Sequence, residues 1–313
     1  MMPSLDATRP LAGLKGALRY VRAYRDHAFV VKIGGDVVSD PHVLEQVAAQ
    51  LGLLHSLGIR IVVVHGGGPQ ATALSRRLGK EPEIVAGRRV TDDTALEVAK
   101  MVFAGTVNLE VLCALRHHGV QAVGVSGVDA DLLTASRRPP VRVTDDQGRE
   151  RVVDYGHVGE LEAVDVRVLT TLLDGRFVPV VASLAGDREG QVYNVNADTV
   201  AERLAIALNA QKLIFLTGAP GVLRDRTDPT SLVTFADPDD LAQLVANGVL
   251  SGGMRPKVEA CVRAATGGVE RTHIIDGRAP DSILVEVFTG SGAGTMIVGK
   301  KEKATYVGAE LAE

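Results

Sequence analysis

Residues 60–69 read RIVVVHGGGP, a run of β-branched apolar residues that ends at a histidine and three glycines. A strand that is apolar without alternation is buried on both faces. Three glycines at its end, then a proline suited to a first helical turn, predict a strand-to-helix junction with Gly66 to Gly68 as the turn. Such a turn offers backbone N–H groups with the helix dipole behind them, which suits phosphate or another anion. The same order recurs at 29–35, FVVKIGG, although there a polar linker is expected before the helix. Strand–helix junctions also use glycine for tight geometry alone, so one such turn decides little. Two of them, one led by Lys32, favour a ligand.

Working outward, further apolar runs lie at 121–125, 177–182, 212–216, 272–275 and 295–298. Segments with apolar spacing of three and four separate them, at 42–56, 94–118, 196–209, 237–247 and 256–266. Buried strands alternating with helices predict an α/β fold, a mainly parallel sheet covered on both faces. Residues 141–154, VRVTDDQGRERVVD, alternate polar and apolar around an Asp-Asp-Gln-Gly turn and predict an exposed hairpin, either a lid or a surface elaboration. The polar stretch 225–231 reads as a loop. Ahead of the first strand, Leu11, Leu14, Leu18 and Val21 recur at helical spacing among Lys15, Arg19, Arg22 and Arg25. Packing of this basic amphipathic helix on its own domain or a neighbouring subunit is favoured over a membrane surface, because Tyr20 and Tyr24 are its only aromatic anchors.

Of the 313 residues 46% are hydrophobic, and the formal net charge is -4 with a pI near 6.1, which argues against a nucleic-acid footprint. A chain of this length buries roughly three quarters of its unfolded surface and needs no disulfide or structural metal. Cys113 and Cys261 lie far apart in apolar helical stretches and read as core thiols of a reducing compartment. No apolar run approaches the roughly 20 residues of a membrane span, and no signal peptide is evident. A soluble cytoplasmic protein is expected.

Several polar groups stand out. Lys32 closes an otherwise apolar strand, where an ammonium is costly unless it reaches an open anionic site at the carboxyl edge of the sheet. NVNADTVAERLAIAL at 194–208 sets Asn194, Asn196 and Asp198 at a helix start, where capping alone would explain Asn196 and Asp198. Lys257 falls in the first turn of the helix after SGGMRP, against the dipole, which implies a negative charge nearby. Arg88 and Arg89 precede a helix capped by Thr91 or Asp92, and one of them suits a carboxylate clamp. No GxxxxGK[ST] loop exists, and TGSGAGTMI at 289–297 is no dinucleotide fingerprint, since it leads into a strand.

Taken in order, KIGG (32–35), VVVHGGGPQ (62–70), GRRVTD (87–92), VGVSGVDADLL (123–133), VYNVNADTVA (192–201), SGGMRPKVEAC (251–261) and HIIDGRAPDSILVEVFTGSGAGTMI (273–297) resemble the amino acid kinase family, and within it the N-acetylglutamate kinases. The resemblance covers nearly all of 27–299. It implies an open α/β/α sandwich with a mainly parallel sheet of about eight strands. The expected division is a helical extension at 1–26, an acyl-substrate and dimerisation lobe at 27–185 and an ATP lobe at 186–313. The implied reaction is ATP-dependent phosphorylation of the γ-carboxylate of N-acetyl-L-glutamate in arginine biosynthesis. Lys32 and Lys257 would flank the transferring phosphoryl group, held by Asp198, and Gly34, Gly35, Gly67 and Gly68 would donate N–H bonds to its oxygens. Gly67 and Gly68 would also face the substrate, whose α-carboxylate Arg89 and Asn194 would bind. Thr217, Gly218, Gly221 and Gly253 would line the nucleotide site. Mg2+ would ride on the ATP phosphates, with no metal site in the protein.

By the same resemblance His273, Glu286 and Gly292, within the 290–294 loop region, would bind arginine as a feedback inhibitor. The N-terminal helix would interlace dimers into a hexamer. Two positions depart from the pattern: Gly218 stands where an acidic residue is common, and Ala130 where a glycine is usual. The alternatives are a sister kinase acting on a carrier-linked aminoadipate in lysine synthesis and a catalytically silent arginine sensor. The intact set of Lys32, Asp198 and Lys257, and only 14 residues after 299, weigh against the sensor.

Overall fold

The computed structural model describes residue 16 and residues 18–144, 149–250, 252–290 and 292–299. Its centre is an eight-stranded sheet. In chain order the strands are β1 (Ala28–Ile33), β2 (Arg60–His65), β3 (Ala122–Ser126), β4 (Val178–Ala182), β5 (Lys212–Thr217), β6 (Phe235–Ala236), β7 (Arg271–Asp276) and β8 (Gly294–Val298). They lie in the order β6-β8-β7-β5-β1-β2-β4-β3, all neighbours parallel except β7 and β8. All seven runs expected from sequence are strands, and the two-residue β6 is the eighth.

The helices are α1 (Gly35–Val38), α2 (Pro41–Ser56), α3 (Gly68–Arg77), α4 (Asp93–Ala99), α5 (Asn108–His117), α6 (Arg167–Asp174), α7 (Ala197–Ala207), α8 (Pro238–Ala246), α9 (Met254–Thr266) and α10 (Ser282–Phe288). Their starts follow local chemistry. Asp40 caps α2 by accepting from His42 N at 2.9 Å, with Pro41 in the first turn. Asn196 caps α7 through Asp198 N, and Asp92, not Thr91, caps α4 through Ala95 N. An eight-residue π stretch, Lys100–Val107, joins α4 to α5.

The two faces of the sheet carry separate cores. Val31, Ile33, Ile61 and Val63 pack under α2, the π stretch and α5, whereas Val30, Val62, Val64 and Phe215 pack under α7 and α9. Side chains alternate across a strand, so Lys32 shares the face of Val30. Burying a side chain such as Ile61 contributes roughly 1.5–3 kcal/mol, which explains why the apolar runs carried the fold.

Other features were not foreseen. A second sheet joins 192–194, 184–186, 133–137 and 159–164; these strands are short, and 159–164 alternates weakly with most residues exposed or half-buried, so no apolar run marks them. The hairpin is present, 141–144 pairing antiparallel with 150–153; its 145–148 turn lies outside the described residues. No linker separates KIGG from a helix, because α1 starts at Gly35. Cys261 is buried as expected, but Cys113 is exposed, being on the outward side of α5 beside buried Ala114. Asp93–His117 forms one 25-residue helix that is long and apolar enough, by length and composition, to cross a membrane, although charged residues break its apolar run at Glu97, Lys100 and Glu110. Half of its apolar window is buried in the fold.

Leu11, Leu14 and Lys15 lie outside the described residues; residues 18–24 are helical. Tyr24 packs edge-on against Phe29, ring centroids 5.3 Å apart, and Tyr20 against Phe288 at 6.5 Å, so the aromatic residues hold this helix on its own chain while Leu18 stays exposed.

Candidate active site

The chain leaves β1 to one side toward β2 and returns on the other as β5, so the carboxyl ends of β1 and β5 form the topological switch where α/β sheets bind ligands. Lys32 lies there, in register with Val64 and Phe215. Its ammonium is 2.8 Å from Asp198 Oδ1 and Lys257 Nζ is 2.9 Å from Asp198 Oδ2. One carboxylate on the first turn of α7 thus clamps a lysine from the sheet and a lysine from the first turn of α9. Asp198 is the negative charge that Lys257 implied, and its carboxylate does more than favour the helix dipole. Burial lowers the Lys32 pKa despite the pull of Asp198. Burial pushes Asp198 up, but the two lysines outweigh it and hold the carboxyl below its usual range. Two ammonium groups thus share one carboxylate, with Asp36 a weaker negative neighbour of Lys32.

Both glycine turns border this clamp. Gly34 N donates to Leu216 O at 2.9 Å. A Cβ on Gly34 would lie 2.7 Å from that oxygen, one on Gly35 2.7 Å from Pro69 Cδ and one on Gly67 2.7 Å from Phe103 Cδ1. Close packing therefore requires these three glycines whether or not a ligand is present. A Cβ on Gly68 would meet nothing within 4 Å, so that residue faces open space.

Across the cleft, Arg89 and Asn194 line one cavity of about 540 Å³ with Arg88, Arg138 and Arg263. The Arg89 guanidinium donates to Gly68 O at 3.1 Å and to Thr72 Oγ1 at 2.5 Å, and burial lowers its pKa. Asn194 Nδ2 donates to Thr91 Oγ1 at 3.1 Å. A guanidinium and an amide on one wall suit a carboxylate.

Of the residues expected around a nucleotide, Thr217 ends β5 and Gly218 and Gly221 follow it in the chain. Gly221, at φ 146°, has no room for a Cβ, which would meet Thr295 Oγ1 at 2.6 Å. Gly253 is the N-cap of α9, and Thr217 Oγ1 accepts from Ala219 N at 3.0 Å. A Cβ on Gly218 would point at Asp36, 3.2 Å from its Oδ2, so this chain carries a carboxylate beside position 218 from another element. The second departure, Ala130, sits at φ 51°, a left-handed conformation that costs about 1–2 kcal/mol in a residue with a Cβ. Among the described residues no three His, Cys, Asp or Glu side chains come together as a metal site.

His273, Glu286 and Gly292 meet elsewhere, in a cavity of about 340 Å³ that Tyr20, Tyr24 and Lys212 also line. His273 Nδ1 donates to Glu286 Oε1 at 2.6 Å and Nε2 lies 3.2 Å from Lys212 Nζ. Burial and the neighbouring Arg271 bring Lys212 down to about 7.

Sequence reading missed Glu202 and Arg263. Arg263 donates through Nε and Nη2 to Glu202 Oε2 at 2.9 and 2.7 Å, which ties α9 to α7 one turn beyond the Asp198 clamp. The signal was available: Glu202 follows Asp198 by four residues, on the same helix face. It also missed His65 and Asn108, which meet behind the second glycine turn.

A family model described as "Amino acid kinase family" matches residues 28–276. An acetylglutamate kinase of Myxococcus xanthus is 48% identical over 290 residues, covering 92% of this chain and 94% of that one. A solved N-acetylglutamate synthase from Neisseria gonorrhoeae, complexed with coenzyme A and N-acetyl-glutamate, is 30% identical with a TM-score of 0.78 over 92% of this chain. The chain spans 63% of that synthase. The same synthase complexed with coenzyme A and L-arginine is 29% identical with a TM-score of 0.77, covering 92% of this chain and 65% of that one. A match through both glycine turns, β5 and β7, together with nearly half identity to a relative covered almost end to end, leaves one assignment: the chain belongs to the amino acid kinase family.

Proposed function

We propose that the chain transfers the γ-phosphoryl group of ATP to the γ-carboxylate of N-acetyl-L-glutamate, in arginine biosynthesis. A carboxylate oxygen attacks the γ-phosphorus, the bond from that phosphorus to the β,γ-bridging oxygen breaks, and ADP leaves with N-acetyl-L-glutamyl 5-phosphate. The observation that carries this reading is the Asp198 clamp, which presents two ammonium groups between two glycine turns. The attacking carboxylate is already ionised near neutral pH and needs no base. The work left to the protein is positioning and neutralising charge.

In this reading Lys32 and Lys257 neutralise the transferring phosphoryl group and the leaving ADP, while Asp198 orients both. Gly35, Gly67 and Gly68 supply N–H donors, with Gly34 shaping the turn. Arg89 and Asn194 bind the α-carboxylate of the amino acid. Thr217, Gly218, Gly221 and Gly253 border the nucleotide, and Mg2+ arrives on its phosphates. The half before about residue 186 binds the acyl substrate and the half after it the nucleotide. The test is an acyl-phosphate trap with MgATP and hydroxylamine, offering N-acetylglutamate, glutamate, aspartate and aminoadipate separately. Hydroxamate from N-acetylglutamate alone is expected; none from it would sink the assignment.

The proposal extends to regulation. The cavity at Lys212, His273, Glu286 and Gly292 pairs a carboxylate with cationic and aromatic groups, as a zwitterion with a guanidinium tail requires, and the related gonococcal synthase has been solved with L-arginine. Arginine inhibition and a hexamer joined through the N-terminal helix are expected. Sedimentation showing a dimer with and without arginine would count against the ring.

A further inference from the structure

His65 ends β2 with no exposed surface, and the reaction as proposed makes no use of it. Its Nδ1 is 2.7 Å from the carbonyl oxygen of the next residue, Gly66, and its Nε2 is 3.0 Å from Asn108 Nδ2. A carbonyl oxygen only accepts, so Nδ1 carries the proton and donates to Gly66 O. Nε2 is therefore the bare nitrogen and accepts from Asn108, whose amide nitrogen also donates to Val180 O at 3.0 Å. Both amide hydrogens of Asn108 are thereby used, and its Oδ1 fills the place of a side chain at position 124: a Cβ on Gly124 would lie 2.0 Å from it. This arrangement admits one tautomer of a neutral ring. Burial keeps it neutral, lowering His65 to about 4 against the opposing bond to Gly66.

A trans peptide is planar, with C=O and N–H on opposite sides. Holding the Gly66 carbonyl against the ring therefore turns the Gly67 N–H away from it. The N–H groups of Gly67 and Gly68 find no backbone acceptor among the described residues. Phe103 and Val102 of the π stretch close on Gly67 from the other side, a Cβ there meeting Val102 Cγ1 at 3.2 Å. Asn108 begins α5 directly after that stretch, so one continuous helix both presses on the turn and locks the ring that holds it.

We propose that His65, set by Asn108, is a positioning residue for phosphoryl transfer: it fixes the tilt of the Gly66–Gly67 peptide and so aims the Gly67 N–H at the transferring group. The inference rests on the proposed reading of the glycine turns. It makes His65 neither an acid nor a base.

Two substitutions separate the ring nitrogens. H65N keeps a donor at the Nδ1 position and loses the Nε2 acceptor, whereas H65Q keeps a group at the Nε2 position and loses the donor to Gly66. Wild-type hydroxamate formation is measured first, so that failure of the functional reading shows before any variant is made. Then kcat, both KM values and melting temperature are measured for each variant. H65Q is expected to lose about 100-fold in kcat with KM values within about threefold, as removal of one preorganised donor does, and H65N to recover most of that loss. Equal activity in the two variants, or effects confined to KM or melting, would overturn the proposal.

A measurement on the wild-type protein does not depend on the variants folding. With 15N-glycine labelling, the Gly67 amide is expected to shift when ADP, tetrafluoroaluminate, Mg2+ and N-acetylglutamate are added to an enzyme already shown active. An unmoved Gly67 amide would likewise overturn it.

Discussion

Replacing Asp198 by asparagine removes one charge from the centre of the site and leaves its volume. The carboxylate is ion-paired with Lys32 at 2.8 Å through one oxygen and accepts from Lys257 at 2.9 Å through the other. An amide keeps one acceptor and turns an NH2 group toward the other ammonium. Each charge-assisted bond contributes about 1.5–3 kcal/mol, and stranding a buried charge costs about 3–5 kcal/mol. Loss of one charge stabiliser alone accounts for about 10²–10³ in kcat. Disorder of the second lysine adds to it, so the expected loss is about 10³-fold, or ~4 kcal/mol at 1.36 kcal/mol per decade. The variant should also carry a pH signature. Burial already lowers Lys32, and Asp198 is the main group opposing that. Without the carboxylate the pKa falls further, and the protonated, working form returns as pH falls. In the hydroxamate assay the ratio of variant to wild-type kcat should therefore rise as pH falls. A kcat within about tenfold of wild type, or a ratio flat with pH, would refute the clamp as the source of rate.

Lys257→Ala should lower kcat by about two to three orders of magnitude with little change in KM for N-acetylglutamate, read by steady-state kinetics. Arg89→Ala should instead raise KM for the amino-acid substrate by about 10–100-fold, the worth of one or two charge-assisted bonds; an unchanged KM would remove Arg89 from the substrate site. His65 and His273 are both held down to about 4 by burial, below the ordinary 6.5. Between those values the unfolded chain binds the extra protons, so their contribution is complete above pH 6.5 and lost as pH falls toward 4. Urea titrations should show stability falling in that window, with a slope reduced by about 1.4 kcal/mol per pH unit in H65N; an unchanged slope would contradict a neutral buried His65. Gly67→Ala, which drives a Cβ to 2.7 Å from Phe103 Cδ1, should destabilise by about 1–3 kcal/mol, and Phe103→Leu in the same chain should restore part of the loss on thermal melting.

The sheet was legible because burial on both faces forces continuous apolar runs, as at 60–64 and 212–216, and the flanking helices because one face of each must be apolar. The four-stranded sheet was not: strands such as 184–186 and 192–194 are too short for a period to form. In the site, Lys32 and Lys257 announced themselves by standing where a cation is disfavoured, whereas Asp198 read by itself as a residue favouring the helix start, and only the family resemblance tied it to both lysines. The glycine turns were read correctly in place but only partly in cause, since at Gly34, Gly35 and Gly67 the protein itself fills the space a side chain would take. His65 and Asn108 carried no signal, because 43 residues separate a histidine from an asparagine that only the folded sheet brings together.

The π stretch at Lys100–Val107 bears on how this chain can change length. In an α-helix one residue fewer turns everything downstream by about 100°, and π segments occur as widened turns that hold an extra residue. Deleting one residue from 100–107 would let the wide turn close toward ordinary α geometry with Asn108 and the hydrophobic side chains of α5 still in phase, whereas the same deletion within α4 or α5 would rotate one part of the helix against the rest by about 100°. Between Asp93 and His117 the π stretch is therefore where a change of one residue can be absorbed, and the α segments on either side of it are where it cannot.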